Sequence, residues 1–312
     1  MTTSAVQVSA PAVSAPRSRL ANRRLLIIIS LLIVYIVWGT TYLVIRFALE
    51  SFTPYWLMGI RFVIAGGVLF AVLRLQPAAK RPPMPTGRQW LSASIIGLLL
   101  LGFGMGSVAW AEESVSSGLA AALVATSPLW TMLFGMIWRH IPTRSEWIGV
   151  GLGLLGAALL AMEGNLQANP GGIVLILFAS AAWAFGSLLM KRLDMPRGAM
   201  GNAAEMLMGG LILCGMALLR GEPFPVSVTP GAALAITYLI TFGSLGTMSA
   251  YFYLLNNVSP ALATSYSFVN PAVALLIGVV IGGEILTGSA LIALPIILLG
   301  VAFVFRQKPS SD

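Results

Sequence analysis

Two prolines lie inside long apolar runs, each beside hydrogen-bonding side chains: Thr126 and Ser127 adjoin Pro128, and Ser267 and Asn270 adjoin Pro271. Proline removes a helical N–H and frees the carbonyl it would have met. In hydrocarbon that carbonyl needs a polar side chain or a ligand. Interrupted helices at matching places point to a solute path, with a plain packing kink as the other reading. Glu205, set between Ala203-Ala204 and Met206-Leu207-Met208, is a carboxylate in an apolar run. Such a group should face a cavity or a partner. It reads either as a protonatable coupling or substrate-amine site, or as an interfacial residue paired with Arg192 or Arg197.

Glu112 and Glu113 close another run and read as solvated caps or as an outer gate attracting cations. Arg46 and Arg61 stand near run ends. They are snorkelling anchors, or partners of Glu50 or Glu112 in an ion pair that locks one state. Seven aromatics fall within the runs: Trp38, Tyr42, Trp110, Trp130, Trp183, Tyr251 and Tyr266. Trp110, near an end, suits an interfacial belt. Trp38 and Trp183 each need a partner for the indole N–H. Their faces either stack on an apolar or cationic ligand or pack the core. The candidate solute path is therefore Trp38, Thr41, Tyr42, Ser127, Pro128, Trp130, Trp183, Glu205, Tyr266, Asn270 and Pro271. The candidates for coupling or gating are Glu205, Glu112, Arg46 and Arg61.

Other chemistry is missing from the chain. No G-x-x-x-x-G-K-[ST] run is present, so ATP hydrolysis by a P-loop is excluded. A single His (His140) and a single Cys (Cys214) build no transition-metal site and no disulfide within the chain, and no cofactor is implied. Cys214 reads as a small packing residue and His140 as solvated or interfacial.

The elements that must carry these residues are membrane helices. Apolar residues make up 58 % of the chain and charged residues 9 %, against about 25 % charged in ordinary soluble domains. Ten apolar runs approach the ~20 residues that span a bilayer: 25–45, 54–73, 89–110, 117–137, 146–162, 171–190, 200–219, 231–254, 260–281 and 286–305. The runs are continuous rather than alternating, which favours helices over barrel strands. With the N-terminus inside, 15 of the 18 basic residues fall in inner segments; Arg46, Arg61 and Arg220 fall outside. That asymmetry places both termini in the cytoplasm. It also accounts for the net charge of +8, and the scattered basic residues give no nucleic-acid face.

The chain repeats itself. Gly118-Leu119-Ala120-Ala121-Ala122 leading to Ser127-Pro128 is echoed by Ala261-Leu262-Ala263-Thr264-Ser265 leading to Asn270-Pro271. Trp38, Leu43 and Arg46 are echoed by Trp183, Leu188 and Lys191, and Leu155-Gly156 by Leu299-Gly300. Each unit has five spans, an odd number, so the second starts from the opposite side and the repeat is inverted. The expected organisation is a disordered tail over 1–24, a first unit over 25–164, a second over 171–305, and a short tail over 306–312. The run from Leu25 ends in Val37-Trp38-Gly39 without a small-x-small cleavage site, which argues against a signal peptide. Gly149-x-x-x-Gly153 and Gly278-x-x-x-Gly282 read as seams for close helix contact.

The opening Trp38-Gly39-Thr40-Thr41-Tyr42 with Arg46 and Arg61-Phe62 resembles that of an EamA-type unit. So do Ser127-Pro128-Leu129, and Asn270-Pro271 followed by Gly282-Gly283-Glu284. The resemblance covers nearly all of 25–305 and is to the drug/metabolite transporter superfamily, ten-helix EamA branch, with bacterial inner-membrane exporters the nearest in look. It implies an all-α membrane protein of ten helices in two inverted five-helix repeats. It further implies a central cavity lined by both repeats, and alternating-access export of a small organic metabolite or drug, amino-acid-like or amphipathic. The implied partners are the solute, membrane lipid and protons as coupling ion; the oligomeric state is left open.

Two alternatives stand beside export. A membrane enzyme acting on lipid would want a nucleophile with an adjacent base at one depth, and none is visible. A channel would want a ring of like charges or a carbonyl filter, and none stands out. Reporter fusions after residues 80 and 195 are expected to read cytoplasmic, and fusions near 165 and 225 periplasmic. A periplasmic signal at 195 breaks the inverted arrangement.

Overall fold

Proline and a capping side chain set where several helices begin. In the computed structural model, the residues described are 17–115, 117–139, 141–161, 169–282 and 288–305. Twelve helical elements follow one another: α1 Arg17–Leu49, α2 Pro54–Arg74, α3 Gly87–Ala111, α4 Ser117–Val124, α5 Ser127–Ile137, α6 Arg144–Ala161, α7 Pro170–Met190, α8 Ala199–Leu219, α9 Pro230–Asn257, α10 Pro260–Thr264, α11 Tyr266–Gly282 and α12 Gly288–Phe305. Pro54, Pro170, Pro230 and Pro260 each occupy the first helical position, where the missing N–H costs nothing. Asn169, Thr229 and Ser259 cap the last three of these starts, accepting from Gly171, Ala232 and Leu262 backbone N–H groups at 3.0, 3.2 and 3.3 Å.

Among the described residues there is no strand, and the described parts of the ten apolar runs are helical apart from breaks at 125–126 and 265. Among the described residues, six helices are long and apolar enough to cross a membrane: α1, α2, α3, α7, α8 and α9. Large apolar side chains cover their outer faces, with Leu234 73 % exposed and Leu298 on α12 62 % exposed. That surface suits lipid and not water. Helix α1 begins at Arg17, ahead of the expected 25. Residues 1–16, His140, the Gly283-Glu284 pair and the tail from 306 lie outside the described residues.

The two runs with internal prolines are broken, though not alike. The first breaks at Ala125-Thr126, and Pro128 sits in the first turn of α5, where a proline is tolerated. The second breaks at Ser265, and Pro271 lies inside α11. In both, hydroxyls take up carbonyls near the break: Thr126 Oγ1 donates to Leu123 O and Ser127 Oγ to Val124 O, both at 2.7 Å. Ser265 Oγ donates to Leu262 O at 2.7 Å and Ser267 Oγ to Thr264 O at 2.9 Å. Helices α3 and α9 hold a feature the sequence did not announce. Each contains a π-helical segment, Leu98–Gly106 in α3 and Leu239–Gly246 in α9.

Glycines let equivalent helices meet backbone to backbone. A Cβ at Gly66 would lie 2.5 Å from Leu207 N, and one at Gly210 2.5 Å from Val63 N. A shift of 144 residues carries Val63 to Leu207 and Gly66 to Gly210, so the contact between α2 and α8 is reciprocal. The same shift relates the contacts of α6 with α12. Gly300 meets Gly149 O and Gly153 N, and Gly156 meets Ala293 O and Ile297. As one number of each pair rises the other falls, so each pair of helices crosses antiparallel. Contacts that exchange under one operation are the mark of a two-fold relation. The Gly149/Gly153 seam is therefore real, and Cys214 packs against Gly59 as a small filler.

Gly66→Ala and Gly210→Ala are each expected to lower stability by about 1–3 kcal/mol through overpacking against backbone. Gly67→Ala, whose Cβ would meet nothing within 4 Å, is the control and should change little. Thermal melting in mild detergent reads the difference.

Candidate functional site

Where α1, α3, α7 and α11 converge they leave a cavity of about 550 Å³, part of it open space at its mouth. Helix α1 contributes Trp38, Thr41, Tyr42 and Ile45; the π segment of α3 contributes Gly104 and Met105, with Val108 beyond it. Ala179, Ser180 and Trp183 come from α7, and Tyr266 and Asn270 from α11. Met58 of α2, and Val124 and Ser127 at the break between α4 and α5, complete the lining. No Asp, Glu, Lys, Arg or His is among these residues. The Oγ of Ser180 is buried without a partner and is the polar atom there left to bind something else.

One wall is an aromatic cluster. Trp38 meets Trp183 edge-on at 5.5 Å between centroids and Tyr266 at 4.6 Å, and Tyr251 lies 5.2 Å from Trp38 and 5.4 Å from Trp183. Such pairs contribute roughly 0.5–1.5 kcal/mol each beyond their buried area. Both indole N–H groups are satisfied. Trp38 Nε1 donates to Gly243 O at 3.3 Å, and Trp183 Nε1 donates to Tyr251 Oη at 2.9 Å. Ser187 Oγ shares a hydrogen bond with the same tyrosine at 2.8 Å. The duplicated tryptophans thus both pack the core and line the cavity.

Asn270 ties α11 to α1. With its amide oriented to suit its neighbours, its nitrogen donates to Tyr266 O at 3.0 Å and Tyr35 O at 3.3 Å. Its side chain also lies close to the Tyr42 hydroxyl. Tyr35 Oη and Ser265 Oγ, 2.7 Å apart, add a second tie at the break itself.

Of the path candidates, Trp38, Thr41, Tyr42, Ser127, Trp183, Tyr266 and Asn270 line the cavity. Pro128 and Pro271 are buried behind their lining neighbours. Trp130 stacks on Phe134 at 5.9 Å away from the lining, and its indole N–H has no partner. Glu205 is also outside the lining; it is fully buried and pairs with neither Arg192 nor Arg197.

Arg61 departs from both of its readings. It is fully buried, so it does not snorkel, and among the described residues no carboxylate lies within ion-pair distance of it. Its Nε donates to Ser244 Oγ at 2.7 Å and its Nη2 to Gly243 O at 2.9 Å, both in the π segment of α9. A Cβ at Gly243 would come within 3.0 Å of that nitrogen, so the glycine makes room for the guanidinium. Nη1 faces Met58 Sδ at 3.7 Å, directly behind the cavity wall. Arg46 is exposed at the end of α1 and suits a snorkelling anchor.

At the far ends of α3 and α8 the acidic residues divide. Glu112 is buried at 6 % exposure with neither oxygen partnered, within electrostatic reach of Arg46 and Tyr42. It is not a solvated cap. Glu113 is exposed; partial burial raises its carboxyl, the charge of Glu222 adds to this, and Arg220 opposes it. Arg220 lies 3.7 Å over the Trp110 ring and 3.7 Å from Glu222, which accepts from Tyr55 and Trp56 N–H groups at the start of α2. A carboxylate suits that helix end.

Sequence reasoning missed Met58, Gly104, Met105, Ser180 and Ser187, which are ordinary residues in apolar text. Tyr251 was visible as an aromatic within a span, but nothing marked it as the partner of Trp183.

Comparison with known proteins agrees with this architecture. A model of the EamA-like transporter family matches twice, over residues 25–162 and 170–306. The inner membrane transporter YedA of Escherichia coli strain K12 is 44 % identical over 280 residues, covering 89 % of this chain and 90 % of that one. Protein PecM of Dickeya dadantii is 27 % identical, covering 86 % of each chain. The transporter YdfC of Bacillus subtilis is 29 % identical, over 86 % of this chain and 88 % of its own. One solved crystal structure superposes with a TM-score of 0.71 over 91 % of this chain and 96 % of the other at 18 % identity, a likeness of fold.

Tyr251→Phe removes the acceptor of a buried indole N–H. The expected cost is about 1–3 kcal/mol, with a shift in tryptophan emission. Ser187→Ala, which leaves the Trp183–Tyr251 bond in place, should cost less.

Proposed function

The chain belongs to the EamA-like transporter family, and on that premise we propose that it is a secondary exporter of a small amphipathic, aromatic solute across the bacterial inner membrane. The observation that carries the reading is the cavity walled by Trp38 and Trp183, one tryptophan from each repeat. Aromatic faces, Met58 and Met105 accept a planar apolar body, and Ser180, Ser127 and Asn270 offer hydrogen bonds to a polar end. An amino-acid-like solute fits less well, because no lining side chain would pair its ammonium or carboxylate, and unpaired charge is costly in a dry site.

In this reading all ten helical runs span the membrane as two inverted five-helix repeats, with both termini cytoplasmic. The reciprocal antiparallel crossings support the inversion. Two similar units of opposite sense exchange conformations to open the cavity to either side in turn. The breaks at Ala125-Thr126 and Ser265 and the two π segments are the places where helices adjust most cheaply, since their backbone ladders are already interrupted. Protons are the coupling ion, with Glu205 the first candidate and Glu112, near Arg46, the second. No carboxylate, His or Cys lines the cavity beside Ser127 or Ser180, so the lipid-enzyme reading finds no support there.

Flux of a neutral aromatic solute into vesicles carrying the purified protein tests this. Substrate-dependent flux without product formation supports a carrier. Asn270→Leu should abolish flux while membrane insertion stays intact, because it removes the bond from Asn270 on α11 to the Tyr35 carbonyl of α1 without adding charge. Unchanged flux returns Asn270 to packing. A thermal-shift series should rank neutral aromatics above amino acids, since a ligand that binds only the folded state raises Tm.

A further inference from the structure

Glu205 and Asn202 stand one turn apart on α8, with 0 % and 1 % exposure. Residues three apart on a helix share a face. Among the described residues, neither carboxylate oxygen of Glu205 has a hydrogen-bond partner, and neither does Asn202 Oδ1. Three acceptor oxygens therefore share a buried stretch of helix without one donor. The Asn202 amide is fixed from its other side, where Nδ2 donates to Ser249 Oγ on α9 at 2.9 Å. That bond leaves Oδ1 as the free end.

The described residues around it supply no countercharge. From α2, Arg61 turns instead to Gly243 and Ser244. From α3, Gly97 lies against the Glu205 carbonyl, the buried neighbours Ser92, Ala93 and Ile96 carry no charge, and Arg88 is exposed at the helix start. From α9, Tyr251 is within electrostatic reach and is a neutral phenol bonded to Trp183 and Ser187. Lys191, Arg192 and Arg197 are exposed in the loop before α8. A bare carboxylate enclosed this way would carry a desolvation cost of several kcal/mol. One proton removes the charge and turns an acceptor into a donor, which also serves Asn202. A hard metal cation would want about six oxygens, twice what these side chains offer.

We propose that Glu205 and Asn202 form a proton site, in which the Glu205 carboxylic acid donates its O–H to Asn202 Oδ1. Asn202 is a positioning residue, and Ser249 holds it. The proton is taken from water in one state and returned to water in the other, and no other bond of the chain changes. The role in coupling rests on the transporter reading above; the site itself does not. The shift of 144 residues that relates Gly66 to Gly210 also relates Arg61 to Glu205. One repeat thus holds a tethered cation where the other holds an exchangeable one.

Infrared difference spectra between acidic and alkaline pH, on the protein in lipid nanodiscs, test the site. The expected result is a carboxylic-acid carbonyl band that is lost in Glu205→Gln and moves to higher frequency in Asn202→Leu. Ser249→Ala, a change at an exposed side chain on α9, should shift the band in the same direction by less, and it keeps the test open if Asn202→Leu does not fold. A band unmoved in both Asn202→Leu and Ser249→Ala, or no band sensitive to Glu205→Gln, overturns the proposal. So does loss of the band on replacing choline by sodium at fixed pH. If the band behaves as expected but vesicles move no solute, the export reading fails and the proton site stands. If flux persists without the band, only the site fails.

Discussion

Among the described residues, backbone comes close to backbone where α2 crosses α8 and where α6 crosses α12. Lipid gives helices no hydrophobic reason to associate, so their contact must come from van der Waals packing at short range. Gly66 and Gly210 permit that range, and Gly149, Gly153, Gly156 and Gly300 permit it again. Everything else hangs from these two crossings. They fix the two repeats antiparallel to each other, and so bring Trp38 of one against Trp183 of the other. A cavity with one tryptophan from each repeat follows from the crossings as much as from the aromatics.

The second constraint is that backbone polar groups in hydrocarbon must be satisfied within the protein. The chain meets it locally at each irregularity. Thr126, Ser127, Ser265 and Ser267 each return a hydroxyl to a carbonyl three residues back. In the π segment of α9 the Gly243 carbonyl is met by a tryptophan and an arginine from the other repeat. The irregular backbone thereby becomes the joint between repeats, because the groups that satisfy it come from across the interface.

Much of this was legible in the residues. The ten runs, the duplication and the interruptions near Pro128 and Pro271 needed only hydropathy and the chemistry of proline. Seven of the fifteen lining residues follow from asking where polar and aromatic side chains interrupt apolar text. The failures share a cause. These helices are apolar nearly all round, so the sequence carries little sign of which face turns inward. Arg61 near a run end reads as an anchor unless its face is known, and Glu112 and Glu113 look alike although one is buried and the other exposed. The π segments have no residue signature beyond glycine. Ser180 and Ser187 become visible only once α7 is seen against α9 and the cavity.

Arg61 gives the cavity a property that its lining residues lack. The guanidinium is a permanent positive charge in a dry layer, one methionine deep behind the wall, and its hydrogen-bond partners are neutral. Two like charges roughly 8 Å apart repel by about 2 kcal/mol at an effective dielectric of about 20. That repulsion works against a cation in the chamber, as the fixed charge of an anion-exchange resin works against co-ions.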